Sequence, residues 1–138
     1  MIADFLETLD KEGHLDNTIV EMFGDHGDHM NFFLQKTKSG ISEKVNPMLV
    51  VTVPDTYKER IGDNLEKNTQ KLLSHLDLFA SDLAIVGFDV SSFNGFYHGV
   101  DFFTQQAPVR DCAKASIESR HCQCFPTDKY ETTIQESD

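Results

Sequence analysis

Two short runs, Thr18–Phe23 (TIVEMF) and Met48–Val53 (MLVVTV), constrain this chain more than anything else in it. Both are strand-sized and rich in apolar and β-branched residues. Breakers bound them: Gly24-Asp25-His26-Gly27 follows the first, and Pro47 and Pro54 flank the second. Nearly continuous apolar runs of this length are the pattern of strands buried on both faces. A long polar crossover separates them, which predicts a largely parallel sheet in an α/β layer fold. A chain of 138 residues is sized for one domain.

Around these runs the chain is less uniform. Ile2, Phe5, Leu6 and Leu9 follow i, i+3, i+4, i+7 spacing, so an amphipathic helix is expected over 2–12. Gly13 is placed to end it in a left-handed cap, and His14–Asn17 form a short polar connection. Residues 57–79 admit two readings. Leu65, Leu72, Leu73, Leu76 and Phe79 have helical spacing, whereas Asp77 suits the cap of a new helix over 78–86. From Gly87 the chain turns rich in Gly, Ser and Phe, an irregular extension over 87–125 of the same domain. Residues 126–138 are polar and acidic and read as a disordered tail.

Asp plus Glu number 23 against 12 Lys plus Arg, a net charge of −11. Such a surface repels phosphates, so nucleic acid and anionic membranes are not expected partners; a divalent cation or a basic partner is. No stretch approaches the roughly 20 apolar residues of a membrane helix. The first residues carry Asp4, Glu7 and Asp10 where a secretory signal needs Lys or Arg, so no signal peptide is visible.

The string with most chemical content is TIVEMFGDHGDH. A strand delivers Asp25 and His26 at its carboxyl end, where open α/β sheets place ligand sites. The flanking glycines allow the turn that brings both side chains to one place. A carboxylate with an imidazole suits Zn²⁺ or another first-row cation, whereas Ca²⁺ or Mg²⁺ prefers oxygen alone. The bland alternative is a Gly-rich turn whose Asp bonds its own backbone. His29 reads as a solvated loop residue, His75 as structural, His98 as a turn histidine beside Gly99, and Glu43 and Lys44 as solvated crossover. Cys112, Cys122 and Cys124 form a tight cluster of odd number. It reads as a staple with a partner elsewhere, as a reactive thiol, or, with His121, as a set of soft zinc ligands.

Five pieces in order carry a family resemblance: Leu15–Gly27, Gly40–Pro54 (GISEKVNPMLVVTVP), Asn68–Phe79 (NTQKLLSHLDLF), His98–Phe103 (HGVDFF) and Arg110–Cys124 (RDCAKASIESRHCQC). Together they resemble the sulfatase-like branch of the alkaline-phosphatase superfamily, and within it the uncharacterised animal domain of unknown function 229 family. The resemblance implies a layered α/β fold with a mostly parallel sheet, of which residues 1–86 are the C-terminal part of the core. It implies that Asp25 and His26 are the adjacent pair holding a catalytic divalent cation (Zn, Mn or Ca). Enzymes of this kind hydrolyse sulfate or phosphate esters through a metal-activated Ser, Thr or formylglycine nucleophile N-terminal of D-H-G. No catalytic nucleophile is therefore expected within these residues, and a substrate of that class is expected only with the upstream half. The resemblance further implies disulfides and an extracellular or secretory-pathway parent, with Cys112 paired to Cys122 or Cys124. Cys124-Phe125-Pro126-Thr127 resembles the start of the C-x-P-x-R nucleophile motif, but Asp128 stands where the Arg is required. The leading expectation is thus a piece of a metal-dependent ester hydrolase, inactive alone. The alternative is a secreted, non-catalytic binding or structural protein of the same fold.

Overall fold

The structure, a computed structural model, describes residues 1–28, 32, 36–90 and 98–123. His29, Cys124, the Cys124–Asp128 string and the acidic tail over 126–138 lie outside them. The described elements are α1 (Ile2–Lys11), β1 (Val20–Phe23), α2 (Lys38–Val45), β2 (Leu49–Thr52), α3 (Asp55–Ile61), α4 (Asn64–Asn68) and α5 (His75–Ile85). Single 3₁₀ turns lie at His14–Asn17 and Ser119–His121. No described helix is long and apolar enough to cross a membrane.

α1 ends as its sequence dictates: Gly13 takes φ 75°, and its N–H bonds the Asp10 carbonyl at 2.9 Å. Its apolar stripe is not covered by the described residues, for Ile2 and Phe5 are 66 % and 62 % exposed. β1 and β2 form a two-stranded sheet that is antiparallel, with Val20 opposite Thr52 and Phe23 opposite Leu49. This corrects the expected parallel pairing. The Gly24 N–H bonds the Met48 carbonyl at 3.0 Å and the Gly27 N–H bonds that of Lys44 at 2.8 Å. The chain leaving α2 is thereby pinned where β1 stops, so β2 must run back along it. Length and polarity of a crossover do not encode that sense. Burial on both faces is corrected too: Val51 packs on the core, but Phe23, Leu49 and Val50 remain exposed.

The ambiguous stretch over 57–79 is neither one helix nor a helix capped at Asp77. It contains the end of α3, α4, and the start of α5, for which Ser74 is the N-cap. Asp77 sits one turn inside and accepts the Ser74 N–H at 2.6 Å, the reciprocal half of a capping box.

The core gathers Ile61, Leu78, Phe102 and Phe103, with Ile19, Val51, Tyr57 and Leu65 against it. The two Phe rings lie 4.8 Å apart, and Tyr57 meets Phe103 edge-on at 5.9 Å. Burying each Phe is worth about 1.5–3 kcal/mol. Residues 98–107 carrying these rings form no helix or strand, so their backbone groups need partners from elsewhere. Side chains of α4 and α5 supply them. Asn68 donates to the Phe102 and Gln105 carbonyls (2.9 and 2.8 Å) and accepts the Ala107 N–H at 2.8 Å. Ser81 accepts the Phe102 N–H at 3.0 Å, and Asp77 the Val100 N–H at 2.8 Å.

Asp77 also accepts from Arg110 Nη2, and the two side chains are 0 % and 4 % exposed. Arg110 further donates to the His98 and Leu72 carbonyls, each at 3.1 Å. Just beyond, Cys112 and Cys122 form a disulfide with Cα atoms 5.7 Å apart. Closing a loop of that size stabilises by about 2–3 kcal/mol in the chain-entropy picture.

Removing one member of a buried ion pair leaves the other charge uncompensated. Arg110→Ala or Asp77→Ala should therefore cost about 3–5 kcal/mol, read from urea unfolding. A loss near 1 kcal/mol would mean that water reaches the surviving charge.

Candidate functional site

Asp25 and His26 lie in the loop directly after β1, and their side chains meet. The backbone of the turn is fixed before its side chains are considered. A Cβ on Gly27 would lie 1.9 Å from the Glu43 carbonyl oxygen and 2.7 Å from that carbonyl carbon. Glycine is needed there for space, because the last turn of α2 runs against the loop. Gly24 is nearly as confined, with the Pro47 Cβ 3.2 Å from where its own would stand. Glu43 and Lys44, which read as solvated crossover, thus clamp the turn through their backbone. Nothing in their identities signals this.

Within the turn, the Asp25 Oδ1 accepts the His26 N–H at 2.9 Å. His26 Nδ1 lies 2.8 Å from the Gly27 carbonyl, which accepts only, so Nδ1 carries the proton. In the neutral ring Nε2 then presents its lone pair, 3.4 Å from Asp25 Oδ2. Two electron-rich atoms facing each other at that distance attract a proton or a metal cation. An imidazole donating its other N–H to a backbone carbonyl is also the arrangement that orients metal-ligating histidines. The Asp25 and His26 side chains are 86 % and 43 % exposed, open to a ligand from solution. Among the described residues, no group of three or more His, Cys, Asp or Glu could hold a metal ion. A carboxylate oxygen and an imidazole nitrogen are chemically suited to be two ligands of a cation, short of a complete set.

The pair opens on a cleft of about 650 Å³ that Lys44, Lys71, His75 and His121 also line. In a chain of net charge −11, this gathers cationic and imidazole groups around one carboxylate. The disulfide belongs to the same wall through Cys112, and it brings His121, next to Cys122, to the cleft. His75 reaches over from α5, its Nε2 2.9 Å from the Gly24 carbonyl. His98 is exposed and is not among the residues lining this cleft; its backbone carbonyl accepts from Arg110.

A second cavity of about 740 Å³, lined by Glu21, Tyr57, Arg60 and Asp82, was not signalled by spacing. β1 turns Glu21 toward Asp82 of α5. Burial, then the hydrogen bond to Asp82 and its charge, push the Glu21 carboxyl up from 4.5 to about 7. Among the described residues the buried Glu21 Oε1 has no hydrogen-bond partner, which suits a carboxyl that keeps its proton.

A family model described as protein of unknown function (DUF229) matches residues 1–138. No curated protein and no solved structure matches the chain.

Two outcomes are expected. Gly27→Ala must displace α2 or the turn and should cost about 1–3 kcal/mol or more, whereas Gly13→Ala leaves the turn untouched. Urea midpoints of the two variants, with the Asp25 and His26 NMR signals, check this. The second concerns pH. The folded state holds the Glu21 proton up to about pH 7, while the unfolded chain releases it near 4.5. Between those values the folded state binds more protons, so this group's contribution to stability is present at low pH and lost as pH rises through the window. Urea midpoints across that window should fall less steeply in Glu21→Gln than in the natural chain. Parallel curves would exclude Glu21 as the cause.

Proposed function

The chain belongs to the DUF229 family of proteins of unknown function, and from its Asp25–His26 turn we propose that it carries half of a divalent-metal site of a sulfatase-like or phosphatase-like ester hydrolase. The observation that supports this most is the orientation of His26. Its Nδ1–H is engaged by the Gly27 carbonyl, which turns Nε2 toward Asp25 Oδ2. Asp25 and His26 would hold Zn²⁺, Mn²⁺ or Ca²⁺, and a cation there supplies Lewis acidity to an ester oxygen.

Lys44 and Lys71 line the same cleft and suit an anionic sulfate or phosphate group, offsetting locally the repulsion from the acidic chain. His121, which lines the cleft next to the Cys112–Cys122 bridge, is a candidate proton carrier there. The disulfide fits an extracellular or secretory-pathway setting. Zinc sites use three or four protein ligands, so the remaining ligands and the nucleophile would come from residues other than the described ones. A second reading is a secreted, non-catalytic protein of the same fold. The apolar residues Ile2 and Phe5 of α1, which the described residues leave exposed, favour it, as a helix face suited to cover by another polypeptide.

The test is Zn²⁺ titration of the 138-residue chain, followed through the imidazole signals of His26. Saturable binding that is lost in Asp25→Ala and in His26→Ala supports the half-site. Unchanged signals, or binding indifferent to both substitutions, would favour the non-catalytic reading. With Zn²⁺, Mn²⁺ or Ca²⁺ supplied, aryl sulfates and aryl phosphates should not turn over above background. Turnover that disappears in Asp25→Ala would show that a complete site is present.

A further inference from the structure

We infer that His75 is a positioning residue for the Asp25–His26 pair, an inference that rests on the proposed metal half-site. Its side chain crosses from α5 to the turn, 51 residues away in sequence. A carbonyl can only accept, so the His75 Nε2–H donates to the Gly24 oxygen at 2.9 Å. The His75 ring also meets the Phe23 ring edge-on, with centroids 6.4 Å apart. It therefore grips the last residue of β1 and the residue after it.

The consequence for Asp25 follows from peptide planarity. The Gly24 carbonyl lies in one plane with the Asp25 nitrogen and Cα. Holding that oxygen holds the plane, and so the point from which the Asp25 side chain departs. The other side of Gly24 is held by its N–H on the Met48 carbonyl, and the far end of the turn by Gly27 on Lys44. His75 is the contact among these that comes from outside the sheet and its crossover. It is a firm anchor because it is the first residue of α5, directly after the Ser74 cap and two before Asp77. Asp77 is fully buried against Arg110, so the start of α5 is fixed to the core. The line Arg110–Asp77–His75–Gly24 thus carries the rigidity of the core to a turn that is itself exposed.

The ordinary reading, that His75 merely packs on Phe23, is separated by choice of substitution. His75→Phe keeps a ring against Phe23 and loses the donor. His75→Gln offers an amide N–H at similar reach. Backbone NMR relaxation of the metal-free chain should show residues 25 and 26 more mobile in His75→Phe and His75→Ala than in the natural chain, and restored in His75→Gln. A single exposed hydrogen bond is worth about 0.5–1.5 kcal/mol, so Zn²⁺ affinity should fall roughly three- to tenfold in His75→Phe and recover in His75→Gln. Melting temperatures without metal monitor the fold in each variant. Unchanged order at residues 25 and 26 in His75→Phe would overturn the inference whether or not zinc binds. Loss of order at residues 25 and 26 in that variant, with no zinc binding to the natural chain, would instead sink the metal half-site and leave His75 as an anchor of the turn.

Discussion

Asp77 and Arg110 pair where water does not reach, and most of the described structure depends on how that pair is satisfied. Taking two charges out of water costs several kcal/mol per ion, which only good geometry and further hydrogen bonds offset. Here the further bonds come from the Ser74 and Val100 N–H groups on one side and the Leu72 and His98 carbonyls on the other. Satisfying the pair therefore brings together the start of α5, the segment before it, and the irregular chain on both sides of Phe102. The aromatic core follows from this. Phe102 and Phe103 lie on backbone without regular structure, and they hold their places because Asn68, Ser81 and Asp77 occupy the hydrogen-bonding groups around them.

The candidate site inherits its order from the same region. Its turn is defined by backbone: Gly27 against the carbonyl of Glu43, Gly24 between Met48 and His75. Side chains with chemical content are then added to a frame that leaves them little choice. Asp25 has its Oδ1 on the His26 N–H, and the His26 ring is turned by the Gly27 carbonyl. The disulfide contributes to the lining of the cleft through Cys112 and holds the segment that bears His121.

The two cavities differ in electrostatic character although the sheet and α5 contribute to both. Around Asp25 and His26 the lining includes Lys44 and Lys71, two cationic side chains in a chain of net negative charge. Around Glu21 the lining brings a second carboxyl, Asp82, with Arg60 as the cation nearby in the same cavity. A buried acid beside another acid retains its proton to higher pH. The same short strand thus delivers acidic side chains to two environments, one through Glu21 and one through the turn beyond Phe23.

The sequence by itself determined what local forces decide. α1 and its Gly13 cap follow from apolar spacing and one positive φ, and the two strands follow from short apolar runs between breakers. The turn bearing Asp25 and His26 follows from its glycines, and the pairing of Cys112 within its own segment was among the expectations that came with the family resemblance. The family was legible as well, because five ordered pieces carry it. Tertiary structure alone decided the sense of the sheet, since a crossover permits either direction until the ends of the turn are tied to α2 and Met48. It also decided why Gly27 is glycine, since its neighbour Glu43 is sixteen positions along the chain and no backbone angle announces it. Asp77 read as a cap and became a buried anchor, because Arg110 lies 33 residues further on. Charge spacing along a helix cannot show a partner at that distance. Glu21 is the strand residue its apolar run indicates, and burial, with Asp82 of α5 beside it, made it a proton-holding acid. Local structure comes from neighbours a few residues apart, whereas these roles come from groups that meet only after the chain has closed on itself.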